Sequence, residues 1–141
     1  IDLLLDPPGI LPAGGQGALG IQCRGDDAET IALLARIDHS ATRQAATAER
    51  TLLHELRGGC HAPIAAATSH DESQLQLTGV VLSFDGGTRL EASATGKDAV
   101  ALGQAVAADL RARGVAFDPP SDPLTAVTSR SGVNSQLRTT R

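Results

Sequence analysis

A chain of 141 residues can form one domain of ordinary size, or a domain joined to part of another. Apolar residues make up 41% of it, mostly Ala, Leu, Val and Ile, with two Phe and no Trp, Tyr or Met, so an aliphatic core is available and aromatic stacking is a poor recognition mode. The formal charge of −4 argues against a nucleic-acid-binding face or a polybasic membrane anchor. Lys97 is the single lysine and every other cation is Arg, whose planar fork suits carboxylates. With no apolar run long enough to span a bilayer and no charged-then-apolar leader, the expected setting is cytoplasmic, with Cys23 and Cys60 as free thiols. A chain that starts at Ile1 and has no Met is also expected to be a piece of something longer.

In chain order, the apolar run Ile1 to Leu5, the turn Asp6-Pro7-Pro8-Gly9 and the segment Ile10-Leu11-Pro12 read as strand, turn and strand-like segment. Then come four glycines in the seven residues Gly14 to Gly20, leading into the alternating stretch up to Arg24. Such a loop can act as a hinge or bring backbone amides close to an anion. It is not a Walker loop, because no Gly-Lys-Ser/Thr follows. Asp26 and Asp27 supply a cap and first-turn acid for a helix through Ile37, with Ile31, Leu34 and Ile37 on one face. Ser40 is the expected cap of a second helix, Ala41 to about Leu56. Its apolar stripe is Ala45, Ala48, Leu52 and Leu56, widened by Leu53, with Arg43, Glu49 and Arg50 off the stripe.

That helix runs into Arg57-Gly58-Gly59-Cys60-His61-Ala62-Pro63-Ile64. Two glycines are expected to end it through a left-handed residue, and Pro63 stiffens the exit. The period then changes to two. Ile64 to Ser69, Gln74 to Phe84 and Arg89 to Thr95 read as strands, joined by His70-Asp71-Glu72-Ser73 and by Asp85-Gly86-Gly87. A last helix, Asp98 to Arg113, has Leu102, Val106 and Leu110 on its buried side and Gly114 past its end. The expected class is α+β: a three-stranded antiparallel sheet with helices on one face, from about Ser40 to Phe117. From Asp118 the chain is Pro-rich and polar with little periodicity, and reads as a disordered tail over 118–141.

Cys60 on its Gly-Gly turn can be a nucleophile, a covalent attachment point, a metal ligand or an inert small residue. A zinc site is disfavoured, because no Cys-x-x-Cys spacing exists and His54, Cys60 and His61 are too few at unsuitable spacing. Cys60 and His61, adjacent in an extended segment, would point apart, which disfavours a protease pair. Arg24, Arg43 and Arg50 are candidates for carboxylate recognition against a background in which most arginines are solvated. His39, His54, His61 and His70 show no partners in sequence and are expected to be structural or surface residues.

Three segments together carry a resemblance: Leu11 to Arg24 with Gly15-Gln16-Gly17-Ala18, the helix with Thr47-Ala48-Glu49-Arg50, and Arg57 to Ile64 with the specific pattern Gly-Gly-Cys-x-x-Pro-Ile. In order and spacing, over about Ile1 to Phe117, they resemble the C-terminal part of the porphobilinogen deaminase (hydroxymethylbilane synthase) family. The resemblance implies a three-domain transferase of tetrapyrrole and heme biosynthesis, monomeric when full length. Two α/β, periplasmic-binding-protein-like domains would clasp porphobilinogen and the growing pyrrole chain, and a third α+β domain would carry a dipyrromethane cofactor. Cys60 matches the cofactor's thioether cysteine; deamination of porphobilinogen leaves an electrophilic azafulvene that a soft sulfur captures as a carbon–sulfur bond. By the same match, residues 1–39 belong to the end of the α/β domains and the crossover, and 40–117 to the cofactor-carrying domain. Gln16, Gly17 and Ala18 would lie near the cofactor, Arg24 just beyond, and Arg50 would touch a carboxylate or bridge domains. No residue here matches the family's catalytic aspartate, so no catalytic residue, no metal and no activity are expected of this chain alone. The competing expectations are a non-catalytic interaction domain with the family fold and an unrelated thiol enzyme.

Overall fold

Hydrophobic periodicity of 3.6, then two, then 3.6 again builds two helices around a hairpin-linked sheet. The structure, a computed structural model, describes residue 2 and residues 9–58, 61–71 and 74–115. Its elements are α1 (Ala28–Ala35), α2 (Ser40–Glu55), β1 (Ile64–Asp71), β2 (Gln74–Leu82), β3 (Arg89–Gly96) and α3 (Ala99–Ala112). The strands form one antiparallel sheet in the order β1-β2-β3. The sheet and its covering helices are the α+β architecture read from the sequence. No helix among the described residues is long and apolar enough to cross a membrane.

The register explains the close fit of helices on sheet. Gly79 pairs with Ala66 on one side and Ala92 on the other, so three of the smallest residues form a row across the sheet. Leu52 of α2 and Val106 and Leu110 of α3 fill that trough: a Cβ added at Gly79 would lie 2.7, 3.1 and 3.2 Å from their side chains. Leu52, Leu77, Val106 and Leu110 are the largest fully buried side chains, each contributing about 1.5–3 kcal/mol of transfer free energy. The helices also touch each other closely. A Cβ on Gly103 would sit 2.6 Å from the Ala48 carbonyl oxygen and 2.7 Å from Thr51 Cβ. Arg111 of α3 donates to the Glu55 carbonyl at the end of α2, which satisfies one of that helix's terminal acceptors.

Local chemistry sets the element boundaries. Asp98 caps α3 by accepting from Ala101 N at 2.8 Å. Asp27 caps α1 in the same way, and the Thr30 amide and hydroxyl hold its carboxyl below the ordinary value. The Asp85-Gly86-Gly87 turn closes the β2–β3 hairpin with Gly86 at φ 72°. Asp85 accepts there from the Ser83 hydroxyl and from Gly87 N, and both bonds hold its carboxyl low.

Several expectations are corrected. The cap of α2 is His39, not Ser40, with Nδ1 facing Thr42 N at 3.3 Å and the Thr42 hydroxyl at 2.7 Å. His70 also has a partner, the Ala41 carbonyl at 3.2 Å. His70 and Asp71 extend β1 rather than turning, and β2 stops at Leu82, two residues before Phe84. The face Ile31, Leu34 and Ile37 is not a core face: no residue of α1 is buried. The alternating stretch after Gly20 forms no strand, and Leu19 is 95% exposed. The expected elements at Ile1, residues 3–8, Glu72-Ser73 and the tail from Ala116 lie outside the described residues.

Replacing Gly103 by Val tests the helix crossing, because backbone at Ala48 must shift to admit the side chain. The expected loss is about 1–3 kcal/mol, seen as a lower urea midpoint by circular dichroism. An unchanged midpoint would show that α2 and α3 can separate freely.

Candidate functional site

The glycine-rich turn is built from two overlapping backbone turns, Gln16 N to Ala13 O at 3.0 Å and Ala18 N to Gly15 O at 3.2 Å. Gly15 and Gly17 take φ of 78° and 84°, a region where a side chain is strained. At Gly14 it is closeness that matters: a Cβ would lie 2.7 Å from Leu53 Cδ1 on α2. The Gln16 side chain turns back on its own loop and accepts from Ala13 N at 3.1 Å.

Two long-range bonds hold this turn to the domain. Ala66 N of β1 donates to the Pro12 carbonyl at 3.1 Å. Gly15 N donates to Glu49 Oε2 at 2.7 Å, while Glu49 Oε1 accepts from the Thr68 hydroxyl of β1 at 2.8 Å. Glu49 is therefore buried, at 9% exposure, and is not off the apolar stripe as its charge suggested. The signal was in the spacing: it lies four residues after Ala45 and three before Leu52, on the same helix face.

Beside the turn is a groove of about 630 Å³. One wall is Gly15, Gly17 and Ala18; the others come from Leu34 of α1, from Ile37 just beyond it, and from Arg43, Thr47 and Arg50 of α2. Arg43 is paired with Asp38 at 3.0 Å, whereas Arg50 makes no ion pair among the described residues. Apolar walls with a free guanidinium suit an organic ring that carries carboxylates. Of the expected site residues, Gly17, Ala18 and Arg50 are thus brought together here. Arg24 is not among the lining residues; it is exposed on the turn before α1, 4.0 Å from Asp26. Cys60 lies outside the described residues. No group of three His, Cys, Asp or Glu among the described residues could hold a metal.

Residues 43–112, which span α2, the sheet and α3, match the family model described as porphobilinogen deaminase, C-terminal domain. The chain belongs to the porphobilinogen deaminase family. It is 52% identical over 105 residues to the porphobilinogen deaminase of Brevibacillus brevis, a match covering 74% of this chain and 34% of that protein. The porphobilinogen deaminase of Staphylococcus carnosus is 46% identical over 111 residues, covering 78% of this chain and 36% of that protein. For Staphylococcus aureus the figure is 43% over 111 residues. The chain spans about a third of the length of the curated relatives it matches.

Within this porphobilinogen deaminase domain, the helix end before the Cys60 segment differs from expectation. The left-handed residue is Arg57, at φ 53°, rather than a glycine. Gly58 N donates to Leu53 O at 3.2 Å and Arg57 N to His54 O at 3.0 Å, the bonding pattern of a Schellman stop. Gly58 is small for a different reason, since a Cβ there would lie 2.3 Å from Ile64 Cδ1. Arg57→Gly should therefore raise stability by about 1 kcal/mol by relieving the left-handed strain. Its thermal midpoint checks this: a fall would mean that the Arg57 side chain supplies contacts worth more than the strain.

Proposed function

We propose that this chain acts as the cofactor-carrying part of a porphobilinogen deaminase, holding a dipyrromethane through a thioether at Cys60. The observation that carries the reading is the double tie, at Ala66 and through Glu49 to Thr68, between the Gln16 turn and β1, the strand entered directly from the Cys60 segment. The reading takes 40–117 as the cofactor domain, 1–39 as the end of the α/β domains with the crossover, and 118–141 as a tail.

The groove's donors fit such a group: Arg50 is free to take a carboxylate, and the close backbone at Gly17 and Ala18 lets a flat ring approach. Gln16 and Arg24 are the outer members of the proposed set. When bound, the dipyrromethane supplies the pyrrole end to which porphobilinogen units are joined. The chain's own residues hold and orient; none is assigned to proton transfer. Among the described residues the groove holds one carboxylate, Asp38, and it is paired with Arg43; this chain alone is inactive in this reading. Acid chemistry would then come from the α/β domains of a whole enzyme, which is cytoplasmic and monomeric in this reading.

A second reading, a non-catalytic interaction domain, is favoured by exposed apolar residues before α2: Leu19, Ile21, Leu33 and Ile37 are each more than half exposed. One experiment separates the two. The chain is mixed with the N-terminal two thirds of the Brevibacillus brevis relative and given porphobilinogen. The expected result is substrate consumption in the mixture only, with a dipyrromethane mass on the Cys60 peptide and loss of both in Cys60→Ser. An active mixture with a bare Cys60 thiol would overturn the tether, and tight association without activity would favour the second reading.

A further inference from the structure

We propose that Glu49 is a positioning residue, whose carboxylate sets the turn Ala13 to Ala18 in place as a wall of the groove. Its meaning for function rests on the reading above, but its geometry does not.

Among the described residues Glu49 is the one buried charged side chain. Burying a carboxylate is costly unless its oxygens are bonded. Here each oxygen has one neutral donor, the Gly15 amide at 2.7 Å and the Thr68 hydroxyl at 2.8 Å, and no cation. A position flanked on its own stripe by Ala45, Ala48 and Leu52 would serve packing as well with Leu, so stability alone does not account for an acid there. What the acid adds is direction. The turn has two long-range polar ties, and the Pro12 to Ala66 bond lies before it, at its entry. Only the Glu49 bond acts inside the turn, on the amide of a residue already held at positive φ. From Gly17 to the cap of α1, the described chain makes no hydrogen bond to α2 or the sheet. Beside the packing of Gly14 on Leu53, the polar tie nearest Gly17 and Ala18 is therefore the one to Glu49.

Two substitutions in the full chain separate positioning from support. Glu49→Leu keeps volume and apolar packing but removes both bonds. Glu49→Gln can keep both, with Oε1 accepting from Gly15 N and Nε2 donating to the Thr68 hydroxyl. Hydrogen exchange by mass spectrometry and urea unfolding are read on the same samples. In Glu49→Leu the peptide over residues 12–20 should exchange about tenfold faster, while peptides of β2 and α3 and the urea midpoint stay at wild-type values or better. Glu49→Gln should restore most of the protection. An unchanged turn in the Leu variant, faster exchange spread evenly over β2 and α3, or a Gln variant as fast as Leu would each overturn the proposal. None of these readouts needs catalysis, so they stand or fall apart from the deaminase reading. In the complemented mixture, Glu49→Leu should raise KM for porphobilinogen more than it lowers kcat, and Gln should rescue it; the reverse split would count against positioning.

Discussion

The fold depends on how closely two helices approach a sheet that has almost nothing to fill space with. None of the buried core residues is aromatic, and the one described phenylalanine, Phe84, is 81% exposed. Without large rings, native packing density is reached by bringing backbones together. Gly79, flanked by Ala66 and Ala92, lets Leu52, Val106 and Leu110 reach the sheet, and Gly103 lets α3 meet the backbone of α2 at Ala48. These contacts fix the rotation of α2 about its axis to within a side chain's width. That rotation decides which residues of α2 meet the glycine-rich turn and which line the groove.

Glu49 and Arg50 show what the rotation achieves. Neighbours on a helix point about 100° apart, so at the edge of the buried stripe one can face inward and the next outward. Glu49 turns inward and is satisfied by neutral donors, while Arg50 runs past Gly15 to the groove. Had the two paired with each other, the groove would hold no unpaired guanidinium, since Arg43 is already bound to Asp38. Satisfying a buried anion with an amide and a hydroxyl leaves the positive charge available to an anion from outside. The cost of desolvating the carboxylate and the usefulness of the free Arg are thus two sides of one arrangement.

Much of this was legible in the sequence, because the sheet and the last helix obey simple periods. Leu75 and Leu77 alternate with Gln74, Gln76 and Thr78, and Leu102, Val106 and Leu110 repeat every four residues; both patterns form core. The misreadings share a cause. The charge of Glu49 argues against burial although its spacing places it on the stripe, and the apolar character of Ile31, Leu34 and Ile37 suggests a core face although nothing in the described structure buries them. Spacing says which residues share a face, and residue type says what that face prefers; neither says whether a partner is there. Caps were misplaced by one residue for a similar reason, since His39 and Arg57 do what Ser and Gly usually do.

The chain leaving α2 is anchored at Gly58 and again at Pro63. At one end Gly58 is held by the bond to Leu53 O and by contact with Ile64. At the other, the Pro63 carbonyl accepts from Leu82 N at 3.0 Å, which ties the exit to the central strand. Both anchors tie the entry of β1 to α2 and to the central strand. The start of β1 thus stays in register, through Glu49 and Ala66, with the turn that walls the groove.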